Sequence, residues 1–173
     1  MFSLSEWIYQ FSIYAFAAAA IYAALCDWQG YRIPNRALMC LLALWPIYLL
    51  TAPEAGFWWQ NLLLAGAILG LGMLAWQRGW IGAGDIKFLA AAALWIPPQA
   101  HNAFWLTTGI AGGVLCIGLL AGRLLLRQNR TAMAGNTQRL SHLHAPLSGQ
   151  FAPYGVAIAC GCMVLACHLL LLA

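Results

Sequence analysis

Long apolar runs, most of them near twenty residues and almost free of charge, recur along this chain and leave it few possible folds. A bilayer core of about 30 Å is crossed by about 20 helical residues. Runs of that kind cover about 7–26, 37–52, 57–77, 86–100, 102–122 and 151–172. Lipid offers no partner to a backbone N–H or C=O, so the runs are expected to be helices. The two-residue alternation of a transmembrane β-strand is absent. The expected fold is therefore all-α: a polytopic integral membrane protein with about six transmembrane helices. Residues 1–173 are read as a single membrane-embedded domain with a basic loop at 123–150. Composition agrees. Only 7% of the residues are charged, where a soluble domain carries about 25%.

No Lys or Arg precedes Arg32, so the basic start of a cleavable signal is missing. Ala23-Ala24-Leu25-Cys26 has the outline of a lipoprotein signal, but Leu25 is bulkier than the small residue such a signal needs. The six cysteines contain no C-x-x-C pair and lie in or beside apolar runs, where cysteine acts as a small hydrophobe. No metal, cofactor or nucleic-acid partner is expected; membrane lipids are.

All eight basic residues fall in alternate loops. Arg32 and Arg36 follow the first run, Arg78 and Lys87 flank the third junction, and Arg123, Arg127, Arg130 and Arg139 precede the last run. Basic loops stay cytoplasmic, so both termini and the loops near Glu54 and His101 are expected outside. Glu6 and Glu54 then lie on the outer side. Asp27 and Asp85, the only aspartates, lie where apolar runs meet cytoplasmic loops. An ionisable group at depth in a bilayer costs about 2.5–3.5 kcal/mol on insertion scales and points to function. A position in interfacial water would explain both equally simply. The aromatic residues near the run ends, Trp45 and Trp95 among them, fit interfacial belts. The spacings Gly66/Gly70, Gly109/Gly113 and Gly118/Gly122 fit close helix packing, and Pro46 is expected to kink its helix.

Two strings carry the chemistry. Asp27-Trp-Gln-Gly-Tyr-Arg-Ile33-Pro34-Asn35 closes the first run and opens the second, and Gly82-Ala83-Gly84-Asp85-Ile86-Lys87 opens the fourth. The fourth run is short, so Asp85 is expected below the membrane surface, in backbone that must line protein or a watery cavity. Two carboxylates that approach each other share one proton more readily than both ionise. One can then activate a water while the other polarises a carbonyl. Because Asp27 closes a helix and Asp85 opens one, the helix dipoles assign the resting proton to Asp27.

Asp-x5-Ile-Pro-Asn, Gly-x-Gly-Asp-x-Lys and Pro153-Tyr154-Gly155 together resemble the type IV prepilin peptidases, members of the GxGD aspartic peptidases that also include presenilin. The resemblance covers nearly the whole chain. It implies an inner-membrane aspartic endopeptidase with Asp27 and Asp85 catalytic, cleaving basic leaders from prepilin or pseudopilin precursors at the cytoplasmic face. The large bifunctional members add a domain with paired C-x-x-C motifs and methylate the new N-terminus. No such cysteines occur here, so methylation is not expected, and the compact form is similar to the Flp/Tad-type peptidases and the archaeal preflagellin peptidases.

Weaker candidates surround this pair. Gly82 and Gly84 would admit a substrate backbone beside Asp85. Lys87 would tune the aspartates or touch substrate, although snorkelling to the interface explains it as well. Pro153 and Tyr154 would shape the cleft, although a helix-start proline with an interfacial tyrosine is the plain alternative. His142 and His144 make a poor metal site. A proton-coupled transporter would also use two membrane aspartates, but would be expected to show internal repeats. A non-catalytic secretion scaffold would need neither acid.

Overall fold

The computed structural model describes residues 3–52, 55–133 and 153–171. Six α-helices follow one another: α1 (Leu4–Gly30), α2 (Asn35–Thr51), α3 (Trp58–Gln77), α4 (Ala83–Ala93), α5 (His101–Met133) and α6 (Tyr154–Leu171). Single 3₁₀ turns precede α3 and α5, and no strand occurs among the described residues. The all-α, six-helix expectation stands. Four helical spans are long and apolar enough to cross a membrane: Leu4–Gly30, Trp58–Gln77, Pro98–Gly122 and Tyr154–Leu171. The apolar α2 is shorter, and α4, at 11 residues, reaches only about 16 Å.

Local chemistry explains several boundaries. Ser3 caps α1, accepting from the Glu6 N–H while the Glu6 carboxylate accepts from the Ser3 N–H, a reciprocal capping box. At the other end, the Tyr31 N–H donates to the Asp27 carbonyl at 2.8 Å and Tyr31 turns left-handed, with φ 51°. Pro34 precedes the first turn of α2, and Pro46 lies inside a helix that runs unbroken from Asn35 to Thr51. The stretch 123–133, expected as the start of a loop, continues α5. It contains neither Gly nor Pro and is rich in Leu and Arg, so nothing stops the helix at the end of the apolar run. Glu54, Arg139, His142 and His144 lie outside the described residues.

The bundle forms by pairwise packing of α1 on α2, α1 on α6, α5 on α6 and α3 on α4, with α4 also touching α2 and α6. The short α4 therefore lies inside. Its residues Phe88 and Ala90 to Ala93 are buried, and burial continues through Ile96. The run expected to be helical to residue 100 leaves the helix at Ala93, well inside the protein. Three side-chain hydrogen bonds make this possible. Asn61 donates to the carbonyls of Leu94 (3.1 Å) and Ile96 (2.9 Å), and Trp45 donates to that of Leu94 (2.8 Å). Carbonyls freed at a helix end cannot go unpaired in an apolar interior; here Asn61 and Trp45 satisfy two of them.

A tryptophan lies buried at the same place. Trp95 is fully buried, with its ring 4.6 Å from that of Phe16 and 4.9 Å from that of Tyr48. It is a core residue and no interfacial anchor, whereas Trp7, Trp58 and Trp59 are exposed. The glycine pairs expected to pack helices are also corrected. A side chain at Gly66, Gly70, Gly109, Gly113, Gly118 or Gly122 would meet nothing within 4 Å. The close approaches between helices occur at Gly72, Gly155 and Gly161, whose neighbours are Ile86, Asp27 and the Thr108–Phe104 pair.

Candidate active site

Asp27 stands in the last turn of α1 and is 4% exposed. Its Oδ2 accepts the backbone N–H of Gly155 at 2.8 Å. Gly155 is the second residue of α6, so the carboxylate caps the N-terminus of a helix 128 residues further along the chain. The approach is close enough to require glycine. A Cβ on Gly155 would lie 2.8 Å from Asp27 Oδ2, 3.0 Å from its Cβ and 3.1 Å from its Cγ.

Asp85 is built in a parallel way. It lies in the first turn of α4, half-buried, and accepts a backbone hydrogen bond from Gly82, the residue before the helix. A Cβ on Gly82 would lie 2.8 Å from Asp85 Oδ2. Each aspartate thus takes a backbone N–H at a helix N-terminus, where unpaired donors and the helix dipole favour negative charge. At the end of α1 the helix dipole disfavours an ionised Asp27. The N-terminus of α6 opposes it, so each carboxylate accepts a backbone N–H at a helix start.

The two acids line one cavity of about 400 Å³, together with Tyr31, Arg32, Asn35, Trp76 and Lys87, and they interact electrostatically. The loop after α1 explains how. The left-handed turn at Tyr31, a conformation that costs a non-glycine residue about 1–2 kcal/mol, carries the chain over to the start of α4. There Ile33 lies against Gly84: a Cβ on Gly84 would be 3.5 Å from Ile33 Cβ. The Ile-Pro-Asn string therefore packs by Ile33, opens α2 by Pro34 and faces the cavity by Asn35. Gly82 and Gly84 also line the cavity, yet each has a structural partner already, Asp85 and Ile33. Lys87 is exposed at the cavity edge.

Pro153 and Tyr154 fall elsewhere. Pro153 is buried before α6. Tyr154 lines a second, apolar cavity of about 630 Å³ that Asp85 also borders, and its hydroxyl is 3.2 Å from Cys116 Sγ. The third residue of that string, Gly155, is the one that touches an aspartate, and the candidates chosen from sequence passed over it. A glycine just inside a helix, where its flexibility is otherwise a cost, was the available signal. Among the described residues no group of His, Cys, Asp and Glu is arranged to hold a metal ion.

The model of the type IV leader peptidase family matches residues 14–117, a span that contains both aspartates and their loops. The chain belongs to that family. It is accordingly a membrane protein and a protease, a hydrolase of leader peptides in type. Neither the comparison with curated proteins nor that with solved structures gives a match. The match to the leader peptidases ends before α6, so the contact of Gly155 with Asp27 comes from the tertiary structure alone.

Proposed function

We propose that this leader peptidase is an aspartic endopeptidase that removes the basic leader from type IV prepilins, of the Flp class, at the cytoplasmic face of the inner membrane. The observation that carries the reading is the shared cavity of about 400 Å³, lined by two aspartates that accept backbone N–H groups at the starts of α4 and α6. The pair holds one proton. The ionised carboxylate takes a proton from water as the oxygen attacks the scissile carbonyl carbon, and the protonated one gives its proton to the carbonyl oxygen. The resulting gem-diol collapses as the first aspartate returns its proton to the leaving nitrogen and the second recovers its own. The C–N bond breaks and both groups are restored. The proton belongs to the pair and not to one residue.

Clustering of Arg32 and Lys87 around the same cavity supports a cytoplasmic opening through the positive-inside rule. The decisive test is co-expression with a Flp-type prepilin, read as a gel shift. Asp27→Asn and Asp85→Asn should each leave the precursor uncleaved while the variants remain in the membrane. Glu6→Gln, which keeps the α1 cap, should process normally. Cleavage by either Asp variant would sink the assignment.

A further inference from the structure

On the α2 side of α3 lies a second apolar groove, of about 680 Å³, walled by α2, α3 and α4. Its lining recurs at i, i+3, i+4 and i+7 on each of the three helices, from Asn35, Leu62 and Lys87 onward, so it is about 10 Å long. Leu38, Ala65, Ala90 and Ala91 form a buried floor, while Met39 and Leu62 are exposed along the rim. One end is different. Asn35 and the exposed Lys87 stand there, and both also border the cavity that holds the two aspartates. Lys87 supplies the only charge in the lining.

We propose that this groove is a binding site for an anionic phospholipid, with one acyl chain on the alanine floor and the phosphate at Lys87 and Asn35. The occupant must be apolar along its length and negative at one end, and the groove repeats that order. A Lys ammonium beside an apolar channel favours a lipid whose headgroup carries net negative charge over a zwitterionic one. A second copy of this chain fits poorly. Copies in one bilayer share an orientation, so the end with Lys87, Arg32 and Arg36 would meet the same basic end. Gly66 is the useful handle. It lines the groove, and a side chain there meets nothing within 4 Å. A Cβ there meets no clash, so a larger side chain extends into groove volume.

The test is native mass spectrometry of the full chain, purified in detergent and stripped of lipid, with phosphatidylglycerol or phosphatidylcholine of the same chains, and with inorganic phosphate alone. The wild type should retain one phosphatidylglycerol in preference to phosphatidylcholine, and should not retain phosphate. Lys87→Gln should lower that preference about fivefold, as expected for one basic residue near an anionic surface, and Lys87→Arg should restore it. Gly66→Leu should reduce retention of both lipids while leaving the helical circular dichroism and elution volume unchanged. Equal retention of the two lipids by the wild type would overturn the proposal. So would undiminished binding by Gly66→Leu, or a dimer that Gly66→Leu dissolves.

Discussion

Replacing Gly155 with alanine adds one methyl group at the most constrained contact around the aspartates. The new carbon would lie 2.8 Å from Asp27 Oδ2 and 3.0–3.1 Å from its Cβ and Cγ, where ordinary contact begins at 3.4 Å. The obstacle is a buried carboxylate on a helix and not the tip of a flexible chain. Asp27 or the start of α6 must therefore move by roughly 0.6 Å. Overpacking of this kind costs about 1–3 kcal/mol. The same movement stretches the 2.8 Å hydrogen bond from the Gly155 N–H, and a bond to a charged group is worth about 1.5–3 kcal/mol. Misplacement of a reacting group by about 1 Å can cost a hundredfold in rate. Gly155→Ala should therefore lower prepilin cleavage about 30- to 100-fold, measured with purified enzyme at matched concentration. Gly70→Ala, where a methyl group meets nothing within 4 Å, serves as the control and should cleave normally. Cleavage by Gly155→Ala at the wild-type rate would refute the idea that α6 positions Asp27.

Asn61→Ala removes the donor that satisfies the Leu94 and Ile96 carbonyls. Stability should fall by about 1–3 kcal/mol, seen as a lower Tm in detergent; an unchanged Tm would mean that Trp45 or water suffices. Gly84→Ala should be tolerated, since its Cβ would meet Ile33 at 3.5 Å, whereas Gly84→Val should displace Ile33 and impair cleavage. Equal rates for the two would remove Ile33 from the account of the site. A reporter fused after Ala173 should be active as a periplasmic enzyme and silent as a cytoplasmic one, and the reverse pattern would invert the proposed topology.

The linear chain contained the solvent and the helices, because apolar length and scarcity of charge are properties of each segment alone. Six helices were legible for that reason, as was the chemical interest of Asp27 and Asp85. The helix ends were less so. Arg123 to Met133 continues α5 because propensity, and not hydropathy, decides where a helix stops. What followed α4 could not be read at all: its exit at Ala93 depends on Asn61 and Trp45, which lie 33 and 49 residues away from Leu94. Trp95 looked interfacial because it lies near the end of an apolar run, and only packing against Phe16 and Tyr48 makes it core. The glycines show the same division. Spacing suggested Gly66/Gly70 as a contact, yet the close approaches between helices fall at Gly72, Gly155 and Gly161, because contact depends on which face of a helix meets a neighbour. Asp27 as an isolated residue closes α1 against the helix dipole. The fold offsets that environment by bringing the Gly155 N–H at the start of α6 to it, and a backbone donor has no signature in a sequence until tertiary structure gives it an acceptor.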